Sequence, residues 1–140
     1  MYKDNIGIIG AGYVGLTTAV AFAEKEYSVA LHDSNAKILK NIDSGECHFY
    51  EPGLKDSLKR SRKNDLLFTI HDINNFLDHC NTIFICVGTP SNNDNSIDLS
   101  YLEDVFHLIA NYIKENGKFF TLVVKSTVVP SSTDTHLKNI

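Results

Sequence analysis

Gly10-Ala11-Gly12-Tyr13-Val14-Gly15 has the residue types and spacing of a turn that closes main-chain amides around phosphate. Gly10 permits a tight turn, Gly12 lets the backbone come close to a pyrophosphate, and Gly15 lets the next helix pack against the preceding strand. The free N–H groups and positive dipole end of that helix face the anion. Eighteen residues past Gly15 stands Asp33, whose carboxylate can accept hydrogen bonds from a ribose diol. Together these residues predict a seat for a dinucleotide. NAD is expected over NADP: Asp33 would face a 2′-phosphate as a like charge, and no arginine follows it closely.

A glycine turn needed only for packing would show the same G-x-G-x-x-G, so the surrounding elements decide. Asn5–Ile9 is an apolar, strand-like run, Leu16–Glu24 reads as a helix, and Ser28–His32 reads as the second strand. Beyond Asp33, helices are expected at Asn35–Ile42, stopping at Asp43-Ser44-Gly45, and at Leu54–Arg62. Leu66–Ile70 reads as a third strand, and Asp72 caps a helix running to His79. Thr82–Val87 is a continuous apolar run, expected for a parallel strand buried on both faces. Asp98 or Ser100 caps a helix over Tyr101–Glu115, with Leu102, Val105, Phe106, Ile109 and Ile113 as one apolar stripe. Asn116-Gly117 ends it, Phe119–Val124 is the fifth strand, and a last helix is expected around Ser132–Lys138.

This alternation predicts an α/β fold, a doubly wound parallel sheet of Rossmann type, with residues 1–140 as one domain. Ligands of such sheets lie beyond the carboxyl ends of the strands. The chemistry should therefore gather at Gly10–Gly15, Asp33, Val87-Gly88-Thr89-Pro90 and Lys125-Ser126-Thr127.

Composition narrows the partners. The chain is 43% hydrophobic and 21% charged with net charge −4, and has no basic stripe, so neither nucleic acid nor an anionic membrane is expected. Lys55, Lys59, Arg60, Arg62 and Lys63 form the most basic patch, read as a solvated helix face. The apolar segment Leu16–Ala23 is too short to span a bilayer, and a cytoplasmic location is expected. Cys47, Cys80 and Cys86 carry no C-x-x-C spacing and read as reduced thiols without an activating neighbour, Cys86 being a small core residue. His71 and His79 fall eight apart on the expected helix, exposed or capping, and no metal site is expected.

With these segments in view, the chain resembles, over essentially its whole length, the amino-terminal NAD-binding domain of the UDP-glucose/GDP-mannose dehydrogenase family. The motifs that carry the resemblance are IGIIGAGYVGL at Ile6–Leu16, YEPGL at Tyr50–Leu54, FICVGTP at Phe84–Pro90 and VVKSTVVP at Val123–Pro130. YEPGL and the Gly88-Thr89-Pro90…Asp98-Leu99-Ser100 loop look most like the UDP-glucose 6-dehydrogenases. Members oxidise a sugar C6 alcohol to a carboxylate with two NAD+, through a thioester on a cysteine. The resemblance implies that Gly10, Gly12, Tyr13, Val14, Gly15 and Asp33 hold the adenosine and pyrophosphate, with Lys37 near the adenosine ribose. It implies that Val87, Gly88, Thr89, Pro90, Ser126 and Thr127 lie toward the nicotinamide half, that Thr127 helps position a catalytic water, and that Tyr50 and Glu51 flank the substrate.

The sequence also departs from the family pattern. Asp33-Ser34-Asn35-Ala36-Lys37 shortens the usual Asp-x-Asp-x-x-Lys, and Ser131 stands where members often carry glycine. The family's nucleophilic cysteine, its central helix and its nucleotide-sugar domain are expected beyond residue 140. None of Cys47, Cys80 and Cys86 takes the nucleophile's place. The resemblance therefore implies a fragment inactive alone, binding a nucleotide sugar only with the missing domain and free to be monomeric where full-length relatives are homodimers. The alternatives are a free-standing NAD-binding module without turnover, or a dehydrogenase of another nucleotide sugar such as GDP-mannose or UDP-N-acetylmannosamine.

Overall fold

In the computed structural model, residues 5–140 are described. Ile6–Ile9 (β1), Val29–His32 (β2), Leu67–Thr69 (β3), Thr82–Ile85 (β4) and Thr121–Val124 (β5) form one parallel sheet in the order β3-β2-β1-β4-β5. The chain winds outward from β1 in one direction to β3, then crosses back to lay β4 on the other side. The point where the order reverses lies between β1 and β4, and there the crossover helices diverge and leave a crevice.

Tyr13–Glu24 (α1), Ala36–Asp43 (α2) and Leu54–Lys63 (α3) contribute to the core on one face, where Leu16, Val20, Ile42 and Leu58 pack on Ile6, Ile8, Val29 and Leu31. Ile73–His79 (α4) and Ser100–Asn116 (α5) contribute to the core on the other, where Phe76, Leu77, Leu102 and Ile109 meet Ile9, Ala30, Ile83 and Ile85. The caps follow side-chain chemistry: Asn35 accepts from the Lys37 N–H ahead of α2, and Asp72 accepts from the Asn75 N–H ahead of α4.

Several local expectations are corrected. The helix after the glycine turn begins at Tyr13 rather than Leu16, so Tyr13, Val14 and Gly15 belong to its first turn. β4 is not buried on both faces: Ile83 and Ile85 are buried, but Thr82 and Phe84 are only partly covered. Leu99 is the cap residue of α5, with Asp98 Oδ1 accepting from the Ser100 N–H at 2.9 Å. His71 precedes α4 and bonds Asp43 Oδ2 at 3.2 Å, while half-buried His79 packs edge-on to Phe68. The expected last helix is a π turn over Ser132–His136 followed by a 3-10 turn over Leu137–Asn139.

Three of the five side chains in the basic patch on α3 are ion-paired as well as solvated. Lys55 reaches Glu46 at 2.7 Å, Arg60 reaches Glu24 at 3.1 Å and Arg62 reaches Asp43 at 3.2 Å. Among the described residues no helix is long and apolar enough to cross a membrane.

Candidate dinucleotide site

A crevice of about 510 Å³ opens beyond the carboxyl ends of β1, β2 and β4. Gly10 turns its floor with φ +96°, and its N–H bonds the His32 carbonyl at 2.9 Å. A Cβ there would lie 2.8 Å from the Cys86 backbone, so the turn is pressed against the end of β4. At Gly15 a Cβ would lie 1.7 Å from the Gly10 carbonyl oxygen, closer than any packing allows. Gly12 differs: a Cβ there would meet nothing within 4 Å. It is the cap residue of α1, no side chain caps that helix, and its first turn carries no acidic residue. The open space above Gly12 therefore faces the positive end of a dipole and main-chain amides that no carboxylate serves as cap.

Asp33 stands half-buried at the end of β2. Its Oδ2 accepts the Ala11 N–H at 2.7 Å and its Oδ1 accepts the Asn35 N–H at 2.8 Å. These bonds fix the carboxylate against the glycine turn and leave a lone pair on each oxygen for a hydroxyl donor. His32 is held by a 2.9 Å bond between Nδ1 and the Ile70 carbonyl, and its ring packs on Phe76. Val87 and Gly88 line the crevice beside Gly10, and Cys86 forms part of its floor.

The rest of the lining was not among the expected site residues. Ile38 and Ile73 add apolar lining from α2 and α4, and α5 contributes Tyr101, Asp104, Val105 and Leu108. The sequence did carry a signal for the α5 contribution. Tyr101, Val105 and Leu108 recur at i, i+4 and i+7, a second apolar face on α5 beside the core stripe. Val105 is common to this face and the core stripe.

The remaining expected residues fall around the crevice rather than in its lining. Ser126 Oγ donates to the Val87 carbonyl at 2.7 Å and Thr89 Oγ1 donates to the Thr127 carbonyl at 2.9 Å, stitching the loops after β4 and β5 together. The Pro90 carbonyl accepts the Asp98 N–H at 2.8 Å. Val14 is exposed on the first turn of α1, and Lys37 is exposed on the first turn of α2. Tyr13 packs against Phe49 and donates its hydroxyl to Glu51 Oε2 at 2.5 Å, which raises the phenol pKa. Glu51 and the exposed Tyr50 line a second hollow, formed by the segment before α3 and the first turn of that helix.

None of the three thiols is activated. Burial pushes Cys80 up to about 12 and Cys86 up to about 11, and burial also raises Cys47. Among the described residues no three His, Cys, Asp or Glu side chains gather as a metal site would need. The crevice thus combines an open space at a helix start, a carboxylate fixed against the glycine turn and an apolar slot. That donor set fits a dinucleotide.

The family described as the UDP-glucose/GDP-mannose dehydrogenase family, NAD binding domain, matches residues 4–140. The chain is 34% identical to GDP-mannose 6-dehydrogenase of Pseudomonas aeruginosa, covering 91% of this chain and 29% of that one. It is 33% identical to UDP-N-acetyl-D-mannosamine dehydrogenase of Pyrococcus horikoshii, covering 92% of this chain and 30% of that one. The solved UDP-glucose dehydrogenase of Pyrobaculum islandicum superposes with TM-score 0.92 at 33% identity, over 99% of this chain and 32% of that one. The chain spans less than a third of the length of the curated relatives it matches.

Proposed function

From the premise that this chain belongs to the UDP-glucose/GDP-mannose dehydrogenase family and is its NAD-binding domain, we propose that it seats the hydride acceptor for oxidation of UDP-glucose, as part of a longer cytoplasmic polypeptide. The observation that carries this reading is the open volume above Gly12, the one glycine of the three in the motif whose missing side chain no protein atom explains. When bound, NAD+ supplies a two-electron acceptor. The chain's own residues bind and orient it: the amides at the start of α1 take the pyrophosphate, and Asp33 takes the ribose diol.

Val87 and Gly88, with Thr89, Pro90, Ser126 and Thr127 on the stitched loops, belong in this reading to the nicotinamide side, Thr127 orienting a water. Tyr50 and Glu51 face the substrate in it, and Lys37 serves the ribose from outside the crevice wall. UDP-glucose is favoured among nucleotide sugars by YEPGL and by the Gly88…Ser100 loop, while relatives bear the names of three different sugar nucleotides.

Calorimetric titration of the chain with NAD+, NADP+ and UDP-glucose tests the proposal. NAD+ should bind, NADP+ should bind at least about tenfold more weakly, and UDP-glucose should give almost no heat. Asp33→Ala should cost NAD+ roughly tenfold to a hundredfold and narrow the gap to NADP+. Equal curves for the two dinucleotides on the unmodified chain would sink the assignment of Asp33.

A further inference from the structure

α5 carries two stripes. Leu102, Ile109 and Tyr112 turn into the core and are buried, whereas Tyr101, Asp104, Val105 and Leu108 line the crevice. Tyr101 is 58% exposed and Leu108 37% exposed, large side chains the core leaves unclaimed. Asp33 and Asp104 are the two carboxylates of the lining, and they are differently employed. Asp33 already holds two main-chain N–H groups, while the Asp104 carboxylate makes no hydrogen bond or ion pair among the described residues. Even its neighbour Glu103 is engaged, with His136 at 2.6 Å.

Accepting the dinucleotide reading above, on which this step rests, the polarity of the crevice orients the ligand. Phosphates sit at Gly12 and the ribose at Asp33, so the base is directed away from them, into the lining that Ile38, Ile73, Val105 and Leu108 make apolar. A purine offers apolar faces to such a lining and one polar edge. We infer that Asp104 reads this edge and selects a 6-aminopurine dinucleotide over a 6-oxopurine one. A carboxylate accepts a hydrogen bond from an exocyclic amine and repels a carbonyl oxygen in the same place. Asp104 is exposed, so water competes for the contact and the preference is modest.

The experiment compares NAD+ with nicotinamide hypoxanthine dinucleotide on the unmodified chain and on Asp104→Ala and Asp104→Asn, with melting temperature as the fold control. The unmodified chain should prefer NAD+ by roughly five- to tenfold. Asp104→Ala should weaken NAD+ and bring the two ligands within about twofold of each other at unchanged melting temperature. Asp104→Asn should also lose the preference, because an amide can rotate to donate to the carbonyl or accept from the amine. Equal binding of both ligands to the unmodified chain, or an undiminished preference in Asp104→Ala, overturns the inference. Failure of NAD+ itself to bind brings down the dinucleotide reading and this inference together; binding without discrimination brings down the role of Asp104 alone.

Discussion

β1 and β5 are both four-residue parallel strands of one sheet, yet every residue of β1 is buried and none of β5 is. β1 lies between β2 and β4 with helices on both faces, so the glycine turn that follows it is hung from the most constrained strand in the molecule. β5 is an edge, with β4 as its one neighbour. On the α1 side, Phe84, Val123 and Val124 line a shallow hollow shared with Phe22, Lys25 and Lys125. The contrast separates two kinds of precision. Around β1, sterics leave one permitted residue at a position. Around β5, hydrogen bonds between loops hold the shape, and the side chains have room.

The strongest test of that contrast is Gly15→Ala. Its methyl would arrive 1.7 Å from a main-chain oxygen that belongs to the neighbouring turn, not to a flexible side chain. The strand and helix must part, at a cost of about 3 kcal/mol or more. That is a large share of the stability of an ordinary domain. Denaturant unfolding should show a much lower midpoint or no folded baseline. A variant as stable as the parent would mean that α1 and β1 are not locked as described.

Three residues earlier the expected outcome reverses. Gly12 has φ −66° and ψ −166°, extended backbone that valine adopts freely, and open space where the side chain would go. Gly12→Val should stay within about 1 kcal/mol of the parent in unfolding experiments. Its methyls would fill the phosphate space, and NAD+ affinity should fall about a hundredfold or more. Unchanged affinity would empty the proposed cradle of meaning. In the proposed reading the two glycines divide one motif into a structural member and a ligand member.

This division explains what could be read in the sequence. Gly10, Gly15 and the buried runs of β1 and β2 are dictated by close packing, which leaves a strong pattern, and Gly12 and Asp33 stand at fixed spacings from them. Both the sheet and the crevice floor were therefore legible. The apolar wall was less so, because Tyr101 and Leu108 share a helix with the core stripe and a single period was assigned to both. Phe84 misled for a different reason. An apolar run signals burial by composition, but coverage depends on which helix lies above each face, and that is a tertiary fact. The π turn at Ser132–His136 was missed because a short polar segment with threonines favours a helix and a turn about equally.

Ser131 brings the comparison to its finest scale. It leads into the closing turn with φ +72° and ψ −6°, a left-handed conformation that costs a residue bearing a Cβ about 1 kcal/mol. Its main-chain carbonyl accepts the Thr135 N–H at 2.9 Å and the Thr135 hydroxyl at 2.8 Å. Removing the serine side chain therefore relieves the strain and loses neither bond, offset in part by the greater freedom of an unfolded glycine. Ser131→Gly should raise stability by about 0.5 kcal/mol and the melting temperature by about 2 °C. NAD+ affinity should not change, since the residue lies outside the crevice lining. A destabilised variant would show that the serine hydroxyl holds the turn. The edge of the sheet would then be as tightly specified by its side chains as the centre.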